Sequence, residues 1–379
     1  MTRLVFNDEV EQHFPMSACL SSLETMFEEM AADRAITSSR EDMLAPVEDP
    51  PEGSEEPVYY GLKGMGGVIP ELDVGAIRIN SDIIHWPKKD GERVRDKIPA
   101  ADGRYTGLVW LFDSNTGEPL MICPDGMIQS YRVGATSALG AKYLSRPDST
   151  RLGMLGAGFQ ARAHLLALNE VRDLETVHVY SPTPASRREF ADEMEPLVEP
   201  SVTPVDAPQK VFENSDIVQS TTNATSPVFE LEWIEPGTHV GIIRNYEAPD
   251  EFFDPDRFDA FVQSWSKITQ LEELGNQLNE REIPTKNVNN YVVEGDQPVP
   301  KFESGTPDPL CDWERVDSLA DVIAGSVAGR SDPDGITAMF NEGMGIQFAA
   351  AGKALYEIAE QEDLGTIIPT ESLTQEYHP

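Results

Sequence analysis

Cysteine is scarce in this 379-residue chain, where only Cys19, Cys123 and Cys311 occur. They are odd in number, far apart and never in a C-x-x-C pair, so neither a disulfide framework nor a zinc site is supported, and no metal site is expected. We therefore expect three buried, neutral thiols in a protein of a reducing compartment.

Long apolar runs are also lacking. The first residues, MTRLVFNDEVEQHF, contain no apolar centre of a secretory signal, and no run approaches the length of a membrane span. A soluble, cytoplasmic protein with no membrane partner is therefore expected. The length and the 40% of hydrophobic residues indicate a globular chain of two domains, each with its own core.

Basic residues are few: 29 lysines and arginines face 66 acidic residues, which gives a formal net charge of −37. A surface this negative repels phosphate backbones, so nucleic acid is not expected as a partner. Because the acids are scattered along the chain, we favour adaptation to high salt, where screening removes self-repulsion. The alternative is an ordinary acidic protein with one charged, solvated face.

Hydrophobic periodicity changes character near residue 150. Before it, residues 16–32 and 127–144 predict helices, 46–57 a solvated loop, and 58–123 a strand-rich region with a hairpin turn at 114–117.

After residue 150, short β-type runs alternate with helical ones. The runs are RLGMLG, TVHVYS, DIVQSTT, THVGIIRN and DAFVQSW. This alternation predicts an α/β fold with a doubly wound parallel sheet and helices on both faces. Residues 267–281 predict a further helix, and 334–359 predict a long helix rich in small residues.

The sequence G-A-G-F-Q-A joins the first of these runs to the helix that follows. Gly156 permits a tight turn, Gly158 lets a pyrophosphate approach the backbone, and Ala161 lets the helix pack close to the sheet. The amides and the positive end of the helix would then face the phosphates. The turn therefore predicts dinucleotide binding; the alternative is a merely structural turn.

The end of the second run bears on which dinucleotide is bound. An acid there marks NAD(H), but Ser181 occupies the place, and Thr183, Ser186, Arg187 and Arg188 follow. Hydroxyls and arginines suit a 2′-phosphate, so NADP is favoured over NAD as the cofactor. The alternative is that the two arginines are simply exposed helix residues.

The segment SYRVGATSALGAKYLSRPDS at 130–149, followed directly by the strand and GAGFQA, resembles the ornithine cyclodeaminase/mu-crystallin family. That family shares an R-x-x-A-x-S-A-x-x-A-x-x-L helix and a G-x-G-x-Q-[AS] loop. Further similar segments lie at 112–120, 215–229, 232–245 and 343–352. The resemblance extends from about residue 69 to residue 358.

The resemblance implies a Rossmann domain at 130–324, with 130–147 as a linking helix. It also implies a substrate-binding and dimerisation domain built from 1–129 plus 325–379, and hence a homodimer. The implied activity is NAD(P)-dependent hydride transfer at the α-carbon of a small amino or imino acid, as in amino-acid dehydrogenases and ketimine reductases. The alternatives are an ornithine cyclodeaminase, which makes proline and ammonia with bound NAD, and a non-catalytic dinucleotide-binding protein.

The resemblance also assigns residues. Arg132 falls on the arginine that grips the substrate carboxylate beside the nicotinamide; the alternative is an arginine paired with a nearby acid. Phe159 and Gln160 match the loop pair that contacts the cofactor. Thr222 matches the segment beneath the nicotinamide ribose, and Ile242 lies in the strand end, 240–243, that lines the cofactor pocket.

The sequence departs from the family at two positions near the chemistry. Arg78 replaces a lysine; it can bind a carboxylate but cannot shuttle protons, and Lys63 is a possible substitute. The family's catalytic aspartate aligns with Glu247 or with Tyr246, depending on where an extra residue is placed. Glu247 is the candidate base, with a surface acid as the alternative, and Arg40 is a further candidate carboxylate ligand.

Overall fold

A computed structural model describes residues 1–38, 40–55, 58–89, 92–93, 96–100, 103–264 and 311–377. The helix predicted near 267–281 lies outside these residues. The helices are α1 (Asn7–His13), α2 (Met16–Ala31), α3 (Gly126–Leu144), α4 (Phe159–Val171), α5 (Pro184–Met194), α6 (Leu319–Ile323) and α7 (Ile346–Gln361). The predicted helices at 16–32 and 127–144 are thus confirmed as α2 and α3.

The first sheet is mainly antiparallel. Its strands are β1 (Thr2–Leu4), β2 (Ile36–Thr37), β3 (Glu41–Pro46), β4 (Val58–Ile69), β5 (Val74–His85), β8 (Asp96–Ile98), β9 (Thr106–Asp113), β10 (Pro119–Pro124) and β19 (Thr366–Ile368). The central order is β19-β1-β10-β9-β5-β4-β2, with β3 on β4 and β8 on β5. The short strands β6 (Lys88–Lys89) and β7 (Glu92–Arg93) pair separately. The predicted hairpin at 114–117 joins β9 to β10.

The two faces of this first sheet have different surroundings. Helix α7 packs across β4, β5 and β9, and α2 packs between α7 and α3. The other face carries apolar side chains that remain more than one-third exposed, among them Tyr60, Val68, Ile77 and Trp110. Alternation along each strand separates these residues from the buried ones on the helix side.

The second sheet is entirely parallel. Its strands are β11 (Arg151–Leu155), β12 (Thr176–Tyr180), β13 (Ser201–Pro204), β14 (Ile217–Ser220), β15 (His239–Ile242), β16 (Ala260–Gln263), β17 (Asp317–Ser318) and β18 (Thr337–Phe340). Their order is β13-β12-β11-β14-β15-β18-β16-β17. Strands β14, β15 and β18 are buried along their whole length, because helices and loops cover both faces. The predicted doubly wound α/β fold is confirmed.

The long helix predicted over 334–359 is wrong in its first half. Thr337–Phe340 forms β18 between β15 and β16, and only Ile346–Gln361 is helical. The four strand residues are buried on both faces of a parallel sheet, a setting that overrides local helical periodicity. β18 therefore lies in the parallel sheet, although the division made from the sequence placed 325–379 in the other domain.

The buried cysteines agree with expectation: Cys19, Cys123 and Cys311 all lie inside the protein. Burial raises the pKa of Cys19 and of Cys123, so both thiols stay neutral. Among the described residues, no helix is both long and apolar enough to cross a bilayer.

Candidate active site

The turn after β11 has the geometry that a bound pyrophosphate requires. Gly156 has a φ of +102°, and its N–H donates to the carbonyl of Tyr180 at 2.9 Å. A Cβ on Gly156 would lie 2.7 Å from the carbonyl oxygen of Thr221, so only glycine fits. By contrast, apart from the adjoining residues of its own chain segment, none of the described residues lies within 4 Å of a Cβ built on Gly158. The fold itself needs the first glycine, whereas the second one leaves open space beside the backbone.

The first turn of α4 faces that open space. Gly158 is its N-cap, and none of the described residues caps the helix with a side chain, so the amides of the first turn remain available to an anion. Phe159 is 59% exposed, and Ala161 is fully buried where the helix meets the protein interior. The side-chain Oε1 of Gln160 is buried without a hydrogen-bond partner among the described residues.

Arg162 braces the same turn and was missed by the sequence analysis. Its Nη1 donates to the carbonyls of Ala157 and Gly158 at 3.0 and 3.1 Å, and its guanidinium pairs with Glu193 at 2.5 Å. A cation in the first turn of a helix opposes the helix dipole. An arginine directly after a glycine turn was therefore a usable signal that this side chain contacts the turn.

Ser181 directly follows β12, so a hydroxyl rather than a carboxylate lies at the end of this strand. Arg187 reaches back from α5, donates from Nη1 to the carbonyl of Ser181 at 2.8 Å, and lies over the Tyr180 ring at 5.7 Å. Arg187 is half-buried, whereas Thr183 and Arg188 are exposed. Of the two arginines, the structure brings Arg187 to the strand end and leaves Arg188 on the surface.

Glu247 is fully buried and joins the ends of two parallel strands. Its Oε1 accepts from the Ser220 hydroxyl at 2.9 Å and from the backbone N–H of Thr222. Its Oε2 accepts from the backbone N–H groups of Ile243 and Arg244, both at 3.0 Å. Burial raises the pKa of Glu247, although these hydrogen bonds favour the charged form.

This arrangement bears directly on the candidate base. Both carboxylate oxygens of Glu247 already accept two hydrogen bonds, so the side chain is placed to hold the loops rather than to take a proton from a substrate. Tyr246 points outward, is 41% exposed and lies under the Arg244 guanidinium at 5.8 Å. The loop that Glu247 holds includes Thr222, one of the expected cofactor contacts.

A chain of hydrogen bonds links the first turn of α4, at Gln160, to Asn341 at the end of β18. His164 Nδ1 bonds the Gln160 carbonyl at 2.7 Å, its Nε2 bonds Ser137 Oγ at 3.2 Å, and Asn341 Nδ2 donates to Ser137 Oγ at 2.8 Å. Because a carbonyl only accepts, Nδ1 carries the proton and Nε2 accepts from Ser137. Burial lowers the pKa of His164 to about 4, so this neutral form persists at neutral pH.

Asn341, the last member of this hydrogen-bond chain, also bonds to the end of β15 and to α3. Its backbone N–H donates to the Ile242 carbonyl at 2.9 Å, and its Nδ2 also donates to the Val133 carbonyl at 3.0 Å. Its Oδ1 is buried and has no hydrogen-bond partner among the described residues. Asn341 therefore places an unused acceptor between α3 and the carboxyl ends of β15 and β18.

Arg132 lies on α3 just beyond this edge and is only 5% exposed. Its Nη1 donates to Gln347 Oε1 at 2.8 Å and its Nη2 to Gln129 Oε1 at 2.9 Å. Both partners are neutral, and the buried Nε has no partner among the described residues. A Cβ on Gly343 would collide with the guanidinium, so the loop after β18 passes directly over it.

The electrostatics of Arg132 favour an anion. Burial, and then the neighbouring Arg78 cation, lower the pKa of Arg132 to about 9. A carboxylate beside the guanidinium would offset both effects. The alternative expected from the sequence was an arginine hydrogen-bonded to a nearby acid. The hydrogen bonds of Arg132 go to two glutamines instead.

Arg78 lies on β5 of the first sheet and Arg40 lies directly before β3, and the charges of both act on Arg132. Arg78 Nε donates to Asp125 at 2.7 Å, and the guanidinium carbons of Arg78 and Arg132 lie 4.9 and 5.1 Å from the centre of the Phe348 ring. Arg40 pairs with Asp42 at 2.5 Å, and its charge also lowers the pKa of Arg132. The three arginines expected at the substrate are thus brought together.

Lys63 extends the cluster along the sheet. Its Nζ pairs with Asp82 at 2.7 Å, and Lys97 pairs with the same carboxylate at 2.9 Å. Burial raises the pKa of Asp82, but the two lysines outweigh burial and lower it. Lys63 is therefore held by a salt bridge, near Arg78 but not at its position.

These features fit a dinucleotide. The open space at Gly158, the uncapped start of α4, and the unused oxygens of Gln160 and Asn341 lie on the side of the parallel sheet that faces Arg132. Ligands of open α/β sheets bind outside the carboxyl ends of the strands. Fold and site together define a Rossmann-type dinucleotide-binding protein with a buried arginine, hydrogen-bonded to neutral side chains, beside the carboxyl edge of its sheet.

The chain belongs to the ornithine cyclodeaminase/mu-crystallin family, whose model matches residues 95–363. It is 29% identical over 263 residues to a Delta(1)-pyrroline-2-carboxylate reductase of Bacillus cereus, covering 69% of this chain and 74% of the relative. It is 29% identical over 262 residues to an alanine dehydrogenase of Archaeoglobus fulgidus, covering 69% and 73%.

A solved structure extends the similarity over nearly the whole fold. The Delta(1)-pyrroline-2-carboxylate reductase of Thermococcus litoralis, in complex with NADH and L-proline, superposes with a TM-score of 0.71 at 26% identity. The match covers 97% of this chain and 100% of that one. The family resemblance read from the helix and turn is therefore confirmed.

Proposed function

We propose that this chain is an NAD(P)-dependent oxidoreductase that transfers hydride at the α-carbon of a small amino or imino acid. The observation that carries the proposal is the buried Arg132 guanidinium, which has only neutral hydrogen-bond partners and lies beside the carboxyl edge of the Rossmann sheet. The activities named for the Bacillus and Archaeoglobus relatives support it.

Each part of the site has a role in this proposal. The bound nicotinamide supplies or accepts the hydride. The first-turn amides of α4 hold the pyrophosphate, while Phe159, Thr222 and Ile242 line the cofactor. Arg132 binds the substrate carboxylate in two places and fixes which face of the α-carbon meets the nicotinamide. Phe348 covers the guanidinium and excludes water.

The acid–base properties of the side chains at the site favour imine reduction within this activity. Arg78 does not release a proton, and Glu247 has both oxygens occupied by four protein donors. An iminium substrate already carries its proton: hydride adds to carbon and the C=N π pair becomes the nitrogen lone pair. That step needs no side-chain acid, whereas an amino-acid dehydrogenase must also activate water. We therefore favour the ketimine reductase type.

Neither alternative gains support from a specific contact. Ornithine cyclodeamination needs a carboxylate at the substrate's second amine, and Glu247, the acid expected there, is engaged in the loops. A purely accessory dinucleotide-binding role leaves the neutral surroundings of Arg132 without a purpose.

The finer properties of the enzyme follow the same reasoning. Ser181 and the half-buried Arg187 favour NADP over NAD, because neither repels a 2′-phosphate.

The exposed apolar face of the first sheet, with Ile77 directly opposite Trp110, supports a homodimer. The cytoplasm is the proposed compartment, because it keeps thiols reduced.

The test is a spectroscopic assay with NADPH and NADH in molar potassium chloride, using cyclic imines such as Delta(1)-pyrroline-2-carboxylate and keto acids with ammonia. Oxidation of the nucleotide with an imino acid is expected. Arg132→Lys should lower kcat/KM about 100-fold or more, because a lysine cannot make the two-point contact.

Arg315→Lys, at an exposed position before β17, is the matched control and should leave kcat/KM unchanged. Cofactor binding by calorimetry should be unaffected in both variants. A wild-type protein that binds nucleotide but reduces no imino acid would overturn the proposal, as would an Arg132→Lys variant with full activity.

A further inference from the structure

The inner face of the first sheet, together with α3 above it, holds a cluster of cationic side chains. The side-chain cations among the described residues are Arg40, Lys63, Arg78, Lys97 and Arg132. The carboxylates paired with them are Asp42, Asp82 and Asp125. Arg40, Lys63, Arg78 and Lys97 each pair with one of these carboxylates, whereas the hydrogen-bond partners of Arg132 are the neutral side chains of Gln129 and Gln347, in a chain whose formal net charge is −37.

Strand register explains why these side chains meet. Asp42 lies opposite Lys63, which lies opposite Asn80, and the next position along the same face pairs Met65 with Arg78. Residues directly opposite each other share a face of the sheet. The charged rows therefore run side by side on the face that α7 covers, and Arg78 is the member that shares the Phe348 ring with Arg132.

Arg78 has hydrogen-bonding capacity left over. Its Nε donates to Asp125 at 2.7 Å, and within the described part of the chain its Nη1 contacts only the Met65 sulfur, at 3.8 Å. None of the described residues hydrogen-bonds its Nη2. The side chain is 15% exposed, so these terminal amino groups are accessible within the cleft rather than sealed in the core.

We infer that the substrate is an α-imino or α-amino dicarboxylate, with its α-carboxylate on Arg132 and its second carboxylate on the terminal amino groups of Arg78. This inference rests on the proposed function and names its substrate class. Arg132 offers a guanidinium whose partners are neutral, and Arg78 offers terminal amino groups, so each arginine can take one carboxylate. Anions bound at both would offset the repulsion between the two guanidinium groups.

The distances allow this binding mode. Each guanidinium carbon lies about 5 Å from the same ring centre, so the two are no more than about 10 Å apart. The carboxyl carbons of a four- or five-carbon dicarboxylic acid are about 4 to 5 Å apart, and each guanidinium–carboxylate contact adds about 4 Å. Such an acid can therefore contact both arginines at once.

The competing arrangement has Arg40, Arg78 and Arg132 share a single carboxylate. The two arrangements differ in selectivity. If the cations share one carboxylate, a second carboxylate on the substrate is left without a partner. If Arg78 binds its own carboxylate, dicarboxylates bind more tightly than monocarboxylates of the same length.

The first experiment uses the wild-type holoenzyme. Reduction is followed with oxaloacetate or 2-oxoglutarate plus ammonia, and with pyruvate or 2-oxobutyrate plus ammonia as the matched monocarboxylates. In each case the iminium carbon gains hydride, the reduced nicotinamide is oxidised, and the C=N π pair becomes the amine lone pair. The dicarboxylates should have a kcat/KM about 10- to 100-fold higher.

A binding measurement accompanies it and does not depend on turnover. Succinate and glutarate, which have no reacting nitrogen, should bind the enzyme–nucleotide complex about tenfold or more tightly than butyrate, as measured by calorimetry. Equal or weaker binding of the dicarboxylates would overturn the inference.

The variant Arg78→Gln separates the two arrangements. It should lower kcat/KM for the dicarboxylate about 10- to 100-fold more than for the monocarboxylate, and Arg78→Lys should recover part of that selectivity. Arg315→Gln, at an exposed position before β17, is the surface control. An equal loss on both substrates would overturn the inference while the proposed function stands; a wild-type enzyme that reduces no imino acid at all would overturn the proposed function.

Discussion

At the scale of single residues, the two glycines of the turn meet different demands. Gly156 has a positive φ and a neighbouring carbonyl that excludes any Cβ, whereas Gly158 has ordinary backbone angles and empty space around it. Each glycine was expected from the sequence to have a distinct role, and these differences mean that substitutions at the two positions should have separable effects.

Gly156→Ala should destabilise the protein itself. Alanine at a φ of +102° is strained, and its Cβ meets the Thr221 carbonyl at 2.7 Å, so we expect a loss of about 2 kcal/mol or more in the free energy of unfolding. Gly158→Ala should leave that free energy within about 0.5 kcal/mol of wild type but weaken nucleotide binding, because the methyl group fills the phosphate's place.

Denaturant unfolding and nucleotide titration measure the two effects on the same samples. Loss of nucleotide binding in Gly158→Ala with an unchanged unfolding midpoint is the informative result. Normal nucleotide affinity in that variant would contradict phosphate binding at the turn.

At the scale of secondary-structure elements, Glu247 holds together the loops after β14 and β15. A carboxylate is needed because each of its oxygens accepts two hydrogen bonds. In Glu247→Gln the amide NH₂ would face backbone N–H donors, so we expect a loss of about 2 to 4 kcal/mol in stability. Thr222 would shift with its loop, and the KM for nucleotide should rise more than kcat falls.

Thermal unfolding and steady-state kinetics on Glu247→Gln test this, and Glu251→Gln, on the surface, is the control. A variant of normal stability and normal nucleotide KM, with kcat alone reduced, would instead indicate a direct catalytic role for the carboxylate.

The His164 connection between α3 and α4 predicts a pH dependence of stability. Burial lowers its pKa from 6.5 to about 4, so the unfolded chain binds this proton before the folded one does. The contribution of His164 to stability is therefore unchanged above pH 6.5. As the pH drops from 6.5 to about 4 this contribution falls, and the total loss in the free energy of unfolding is about 3 kcal/mol.

His164→Gln should remove this part of the acid sensitivity, while His178→Gln, at a half-buried position on β12, should retain it. Chemical denaturation at a series of pH values between 7 and 4 provides the comparison. His239 contributes in the same direction, because burial lowers its pKa to about 3, so some acid sensitivity remains in both variants. An unchanged profile in His164→Gln would contradict the neutral, buried imidazole.

Most elements could be predicted from the sequence, and the exceptions have physical causes. The glycine turn, α3 and the alternation after residue 150 are local patterns, so they were readable. Strand β18 was not, because the four residues Thr337–Phe340 can form either a helical turn or a buried strand until their neighbours β15 and β16 are known. The family alignment left Glu247 and Tyr246 as alternatives, and only three-dimensional packing shows that Glu247 points inward.

At the scale of the whole molecule, the charge of −37 predicts a dependence on salt. Repulsion among the acids acts over about a Debye length, roughly 10 Å at 0.1 M salt and 3 Å at 1 M. Raising potassium chloride from 0.1 M to 2 M should therefore increase the Tm on the order of 10 °C.

Differential scanning calorimetry measures this directly, with an uncharged osmolyte at the same osmolality to separate screening from general solute exclusion. A Tm that stays constant or falls with potassium chloride would indicate an ordinary acidic protein rather than one adapted to salt.

The amides of Gln129 and Gln347 have a consequence for how this cleft can change over generations. A glutamine codon becomes a glutamate codon by a single base substitution, and elsewhere on so acidic a surface such a replacement is easily tolerated. At these two sites it would give Arg132 a tethered counter-ion that occupies the guanidinium before any incoming acid arrives. Selection for charge on the outside must therefore stop at these two side chains.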